Sequence, residues 1–148
     1  MSDERATSYA LWPGTHARRQ HATACSSGWT PVADETLLDL GCGPGAMARA
    51  AGPFVKRVVL CDLSPAMLRV AATESRRAGR PRAVTGRGGR ERAAVSLTRA
   101  LPELVACRHA ARLFRSPEGF ASEVARVLRQ GGRVAVCDVM ATGEPEAG

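Results

Sequence analysis

The stretch Leu37-Leu38-Asp39-Leu40-Gly41-Cys42-Gly43-Pro44-Gly45-Ala46 restricts the fold of this chain more than any other. It opens with an apolar run that suits a buried strand and holds one carboxylate, Asp39. Glycine then stands at every second position, and a helix-compatible run follows from Ala46 to Ala51. Strand, glycine turn and helix in that order open a nucleotide-binding βαβ unit. A backbone without a Cβ can turn tightly and let a ligand lie against it. The helix behind it turns its free N–H groups toward that ligand.

Composition narrows the classes. A chain of 148 residues suits one domain with a real core, and its apolar content of 45% is ordinary for a globular protein. No run approaches the ~18 apolar residues that span a bilayer. The N-terminus, Met1-Ser2-Asp3-Glu4-Arg5, is polar and leads into no apolar segment, so no signal peptide is expected and the cytoplasm is the expected location. The five cysteines (25, 42, 61, 107 and 137) are scattered without CxxC spacing, which predicts buried free thiols rather than a zinc or redox site. His16 and His21 stand five apart, off a shared helical face, so no metal site is expected there.

The net charge of +7 is local. Residues 76–99 hold eight arginines against one acid, Glu91, and so carry the whole excess. Without interleaved aromatics to stack bases, this segment reads as a solvated basic loop and not as a nucleic-acid surface.

In chain order, residues 4–12 and 16–25 each suit a short helix. Thr36–Leu40 is the first strand and Ala46–Ala51 starts the first helix of the βαβ unit. Arg57–Asp62 is a second strand, apolar enough to be buried on both faces, and it too ends in a carboxylate. Asp62 follows Asp39 by 23 residues, near the spacing at which dinucleotide folds place a ribose-binding acid. Ser64 and Pro65 start a helix that should reach Ala78. Arg82–Thr85 suits a short strand, and Ala93–Ala100 a helical turn or two. Glu103–Cys107 reads as a strand and His109–Phe114 as a short helix. Pro117–Arg129 is a helix with Phe120, Val124, Val127 and Leu128 at helical spacing, and Arg133–Val139 is a last strand. Such alternation predicts an α/β fold: a doubly wound, mostly parallel Rossmann-like sheet with helices on both faces. The expected organisation is an N-terminal helical segment (1–35), the sheet domain (36–140) and a flexible tail (141–148).

Four segments together carry a family resemblance. Leu38 to Gly45 resembles motif I of the class I S-adenosylmethionine-dependent methyltransferases. Cys61-Asp62-Leu63-Ser64-Pro65-Ala66-Met67-Leu68 is similar to the segment after their second strand. Leu104–Ala110 resembles their fourth strand, and Glu123–Arg133 their helix and glycine turn before the fifth. The nearest subgroup is the small-molecule methyltransferases that include the ubiquinone and menaquinone C-methyltransferases.

The resemblance implies S-adenosyl-L-methionine as cofactor and a small-molecule methyl acceptor. Gly41, Cys42, Gly43 and Gly45 would form the loop under the methionine and ribose. Asp39 would help bind the amino-acid end, Asp62 would take the ribose hydroxyls, and Leu63 and Met67 would flank the adenine. Cys107 and Arg108 would border the cofactor and the substrate entrance. The sulfonium methyl is already electrophilic, so in-line attack is largely a matter of proximity and no obligatory catalytic residue is expected. His109 reads as a turn residue or, alternatively, as a general base; Asp138 reads as a loop cap.

Two departures from the family bear on activity. Residues 80–102 are rich in Arg and Gly where the family has a third strand, an acid that contacts adenine and a Pro-Phe-rich stretch; the segment reads as frameshifted or degenerate. The family also continues past its fifth strand with two more, so the fifth strand here is expected as an open edge, suited to self-association. The alternative readings are an inactive methyltransferase-like binding module and an NAD(P)-binding Rossmann protein. The latter fits Gly41-x-Gly43-x-x-Ala46 but not Asp39 or Pro44.

Overall fold

A computed structural model describes residues 31–77, 83–87, 101–114 and 116–138. The expected helices at 4–12 and 16–25, the turns at 93–100 and the tail lie outside the described residues. Five strands form one parallel sheet: β1 (Thr36–Leu40), β2 (Arg57–Asp62), β3 (Ala83–Arg87), β4 (Leu104–Arg108) and β5 (Arg133–Cys137). Their order across the sheet is β3-β2-β1-β4-β5. The chain winds outward from β1 to β3, then crosses back to lay β4 on the other side of β1. Ligands of such sheets bind at that switch point, outside the carboxyl ends of the strands.

Helix α1 (Ala46–Ala51) follows β1 and runs into a single 3-10 turn at Gly52–Phe54. Helix α2 (Pro65–Arg77) links β2 and β3, and α3 (Pro117–Val127) links β4 and β5. A serine caps each of the two longer helices, at α2 where the sequence proposes it and also at α3. Ser64 Oγ accepts from the Met67 amide at 3.3 Å, and Ser116 Oγ accepts from the Gly119 amide at 2.9 Å, each with proline at the first helical position.

Strand alternation splits the core in two. Leu37, Val58, Leu60, Leu104 and Ala106 face Met47, Ala48 and Ala51 of α1 and Leu68 and Ala71 of α2. Leu38, Leu40, Val59, Cys61, Val105 and Cys107 face Val124 and Val127 of α3. Leu37, Leu38, Leu60, Leu104 and Val105 are fully buried. Burying each such side chain is worth about 1.5–3 kcal/mol, so the central strands anchor the fold.

Two carboxylates tie the opposite end of the sheet. Glu35 takes both Arg133 guanidinium nitrogens, at 2.8 and 2.9 Å, while its carbonyl accepts from the Lys56 amide. Glu103 accepts from the Thr36 amide at 2.8 Å and from Arg129 at 3.0 Å. Burial opposes charge on Glu103, but these two donors outweigh it and hold its carboxyl below the ordinary range.

Several expectations need correction. The strand expected to begin at Glu103 begins at Leu104, because Glu103 is occupied at the strand entrance. The helix expected at 109–114 is one 3-10 turn, Ala111–Leu113. The short strand expected at Arg82–Thr85 is β3, Ala83–Arg87, paired with β2 from Val58↔Ala83 to Asp62↔Arg87. Cys137 is disulfide-bonded rather than free, and its partner lies outside the described residues. Sequence spacing could not show this, because the bond depends on which cysteines the fold brings together. β5 stands at the sheet edge with Val134 and Val136 exposed.

Candidate functional site

The site is built where β1, β2 and β4 end. The Gly41 and Cys42 amides both donate to the Cys61 carbonyl, at 2.8 and 3.0 Å, so the chain leaving β1 stays pinned to β2. The Gly45 amide donates to the Cys42 carbonyl at 2.9 Å and closes the turn. Asp62, at the tip of β2, then clasps the loop from outside. Its Oδ2 accepts from the Gly43 amide and its Oδ1 from the Ser64 amide, both at 2.8 Å. Each oxygen keeps a second lone-pair site for a ligand hydroxyl.

The glycines are required for separate reasons. Gly41 has φ +69°, and a Cβ there would lie 2.3 Å from the Ala110 Cβ, so the turn after β4 presses on the loop. Gly43 has φ +50°, and a Cβ there would meet nothing within 4 Å. Its open side is the surface a ligand can approach.

Asp39 lies under the loop, 1% exposed, with Oδ2 accepting from the Ala48 amide at 3.1 Å. Burial pushes its carboxyl up to about 7, and the Asp62 charge adds to this. The Ala48 amide and the Arg108 and Arg49 guanidinium groups work against it.

The other expected residues separate into lining and packing positions. Leu63 is exposed beside Asp62. Met67 is buried against Ala66 and Val70, below the surface and not on it. Cys42 is buried, its thiol donating to the Gly43 carbonyl at 3.5 Å. Cys107 is buried at the end of β4, and Arg108 follows it, half-buried. Burial first, then nearby carboxylates, push the Cys107 thiol up to about 12 and the Cys61 thiol up to about 11. Thiols so shifted stay protonated at neutral pH and are not nucleophiles.

Three features were not foreseen. Asp62 braces the loop as well as facing the crevice. Ala110 packs on Gly41. Asp138 caps the turn, as expected, but also gathers two side chains: Arg112 Nη1 lies 2.8 Å from its Oδ1, and His109 Nδ1 lies 3.9 Å from the same oxygen. All three join residues far apart in sequence, which no local pattern reports. Among the described residues no group of His, Cys, Asp and Glu is placed to hold a metal, and no helix is long and apolar enough to cross a membrane.

A parallel sheet of this order, a glycine loop after β1 and an acid at the tip of β2 define the class I S-adenosylmethionine-dependent methyltransferase fold. The profile of the methyltransferase domain family matches residues 38–136. The chain is 30% identical over 119 residues to the uncharacterized methyltransferase YcgJ of Bacillus subtilis, covering 76% of this chain and 44% of that protein. The crystal structure of YcgJ superposes with a TM-score of 0.71 at 28% identity, over 80% of this chain and 50% of that one. An S-adenosylmethionine-dependent methyltransferase from Aquifex aeolicus shares the fold at TM-score 0.75 and 14% identity, covering 100% of this chain and 78% of the other. This chain belongs to the methyltransferase domain family. It spans about half the length of the YcgJ relative that it matches.

Proposed function

We propose that this chain binds S-adenosyl-L-methionine at the glycine loop and transfers its methyl group to a small-molecule acceptor. The observation that carries this reading is the clasp between Asp62 and Gly43, which leaves one face of the loop open and a carboxylate beside it. The residues fit the cofactor. The open side of Gly43 accommodates the methionine and ribose, with Gly41, Cys42 and Gly45 shaping the turn. Asp62 has acceptor sites left for two vicinal hydroxyls. Asp39 would help bind the amino-acid end from beneath the loop, and Arg108 would border the cofactor and the substrate entrance. The exposed Leu63 offers an apolar face to the adenine, while Met67 is buried behind that surface. Cys107 closes the floor as a packing residue.

When bound, the cofactor supplies an electrophilic methyl group. The chain's own contribution is to hold that group and the acceptor in line and to keep water out. We place this activity in the cytoplasm. The alternative reading, a binding module without turnover, differs in predicting cofactor binding with no methyl transfer.

Calorimetric titration of the purified chain with S-adenosylmethionine, S-adenosylhomocysteine and NADH tests the proposal. Methyl transfer from labelled cofactor is then assayed on quinol, phenol and amine acceptors. Binding of both S-adenosyl compounds with methyl transfer is expected. Binding without transfer favours the module. Tight NADH binding with no response to S-adenosylhomocysteine overturns the cofactor assignment.

A further inference from the structure

We propose that Cys137 is joined to Cys25 by a redox-sensitive disulfide that staples the crevice end of β5, and that reduction of this bond weakens ligand binding at the glycine loop. The second half rests on the cofactor reading above.

Cys137 is disulfide-bonded, while Cys42, Cys61 and Cys107 are buried free thiols. The sequence holds five cysteines, so within one chain only Cys25 is left to pair with Cys137. The chain is long enough for this bond. The residues from Cys25 to the start of β1 at Thr36 can span up to ~36 Å, and a strand of this length measures only ~17 Å. The three free thiols do not compete for the bond. Burial pushes all of them up, to about 11 at Cys61 and about 12 at Cys107. At neutral pH they therefore lack the thiolate that exchange requires.

The bond sits where the sheet needs it. β5 is an outer strand, and Cys137 is its last residue, half-buried. The end of an edge strand is held from one side only and frays first. Yet this end secures the turn after β4 at two points. Cys137 stands opposite Arg108, and its carbonyl accepts from the His109 amide at 2.7 Å. Asp138 accepts from the Arg112 amide at 3.3 Å and from the Arg112 guanidinium at 2.8 Å. The turn depends on that hold. His109 has φ +57°, a left-handed backbone that is unfavourable for a residue with a Cβ. Ala110 comes next, 5% exposed, and its Cβ lies 2.3 Å from where a Cβ on Gly41 would stand. A shift of Ala110 therefore changes the support of the glycine loop. Cys137, His109, Ala110 and Gly41 form a continuous path from the bond to the ligand site.

A disulfide in the cytoplasm, where we place this activity, is usually a redox-responsive bond rather than a permanent one. Its opening requires a dithiol reductant. One thiolate of the dithiol attacks a sulfur of the bond, the S–S bond breaks, and a mixed disulfide forms as one cysteine is released. The second thiol of the reductant then displaces the other cysteine. The reductant departs as its own disulfide, and two electrons and two protons pass to the chain, which keeps both cysteines as thiols. A disulfide oxidant reverses the exchange.

The test compares the full chain oxidised with glutathione disulfide and reduced with dithiothreitol. Alkylation and peptide mass mapping of the oxidised chain should find the peptides of Cys25 and Cys137 linked and the other three cysteines alkylated. Alkylation of all five without reduction, or a link between two copies, overturns the pairing. Hydrogen exchange should quicken about tenfold or more at the His109 and Arg112 amides on reduction, with the amides of β1 unchanged. Calorimetry with S-adenosylhomocysteine should show affinity lower by about fivefold or more in the reduced chain. Cys25→Ser and Cys137→Ser should each match the reduced chain and ignore the reductant. Should either variant fail to fold, the two forms of the wild type carry the comparison alone. Equal exchange in the two forms overturns the staple, and equal affinity overturns its coupling to the loop. Failure of both forms to bind sinks the cofactor reading, while mass mapping and exchange still decide the staple.

Discussion

The Gly43 amide donates to the Asp62 carboxylate across 2.8 Å, joining the middle of the glycine loop to the tip of the next strand. The same carboxylate accepts from the Ser64 amide at 2.8 Å, and the Ser64 hydroxyl caps α2 through the Met67 amide. Loop, strand tip and helix start are thus one unit. A ligand that contacts Asp62 also contacts the group that shapes its own cradle.

Replacing Asp62 should therefore affect stability and binding together. Asp62→Ala leaves two part-buried amides without their acceptor. Such groups cost about 1–3 kcal/mol when dry and less when water reaches them, so a loss of ~1–2 kcal/mol is expected. Asp62→Asn keeps one acceptor and should fall between the wild type and the alanine variant. Thermal unfolding without ligand gives the first comparison. Calorimetry with S-adenosylmethionine should show affinity reduced at least about tenfold in both variants.

Asp39 predicts a dependence on pH whose sign is fixed. Burial pushes its carboxyl up from the ordinary 3.8 to about 7 in the folded chain. The folded state holds this proton more tightly than the unfolded state. The contribution to stability is therefore complete below pH 4 and is lost as pH rises from 4 through 7. Asp39→Asn cannot ionise, so its stability relative to wild type should rise over that window, by ~1–3 kcal/mol at pH 8. Denaturant titrations at pH 5 and pH 8 measure the difference. Cofactor binding should move the other way, since a bound ammonium favours the ionised carboxylate. Affinity of the wild type should grow from pH 6 to pH 8, while the asparagine variant binds weakly at both.

The two loop glycines should fail differently. Gly41→Ala sets a methyl 2.3 Å from the Ala110 Cβ in a left-handed backbone, so a loss of more than ~2 kcal/mol and a poor yield of folded protein are expected. Gly43→Ala meets only the cost of its φ, ~1 kcal/mol, because nothing lies within 4 Å. Circular dichroism should find Gly43→Ala folded and calorimetry should find its cofactor binding impaired. A Gly43→Ala chain that binds as the wild type does would move the ligand away from this face.

Much of the fold was legible because its central strands are buried on both faces. Thr36–Leu40 and Arg57–Asp62 are short apolar runs bounded by Gly, Pro or acids, and their limits agree with β1 and β2. Ser64-Pro65 and Ser116-Pro117 gave both longer helix starts. β3 was harder, since Ala83–Arg87 sits among arginines and glycines and its pairing to β2 is set by the neighbour strand. The short helix expected at 109–114 shrinks to one turn because His109 is left-handed, at φ +57°, and Phe114 is already extended, at φ −76° and ψ 151°. In the site, strand-end acids and glycine spacing were readable one residue at a time. The clasp of Asp62, the contact of Ala110 with Gly41 and the gathering of His109 and Arg112 at Asp138 arise only from the parallel pairing of β1 with β2, of β1 with β4 and of β4 with β5, in that order.

The edge of the sheet gives the last prediction. Val134 pairs with Val105 and Val136 with Cys107, so both valines point to the face that α3 covers over β4. Over β5 no element among the described residues provides that cover, and the valines are 42% and 51% exposed. β5 also ends the strand order, so among the described residues no neighbour takes its outer backbone groups. An exposed strand edge with apolar side chains is a template for pairing, and lysine is a residue that natural edges use to prevent it. The chain is therefore expected to self-associate with rising concentration, and Val134→Lys with Val136→Lys should keep it monomeric. Because the replaced side chains are largely exposed, stability should change by no more than ~0.5 kcal/mol per site. Light scattering across a concentration series, paired with thermal unfolding, reads both quantities. Association that persists unchanged in the double variant would place the contact elsewhere on the molecule.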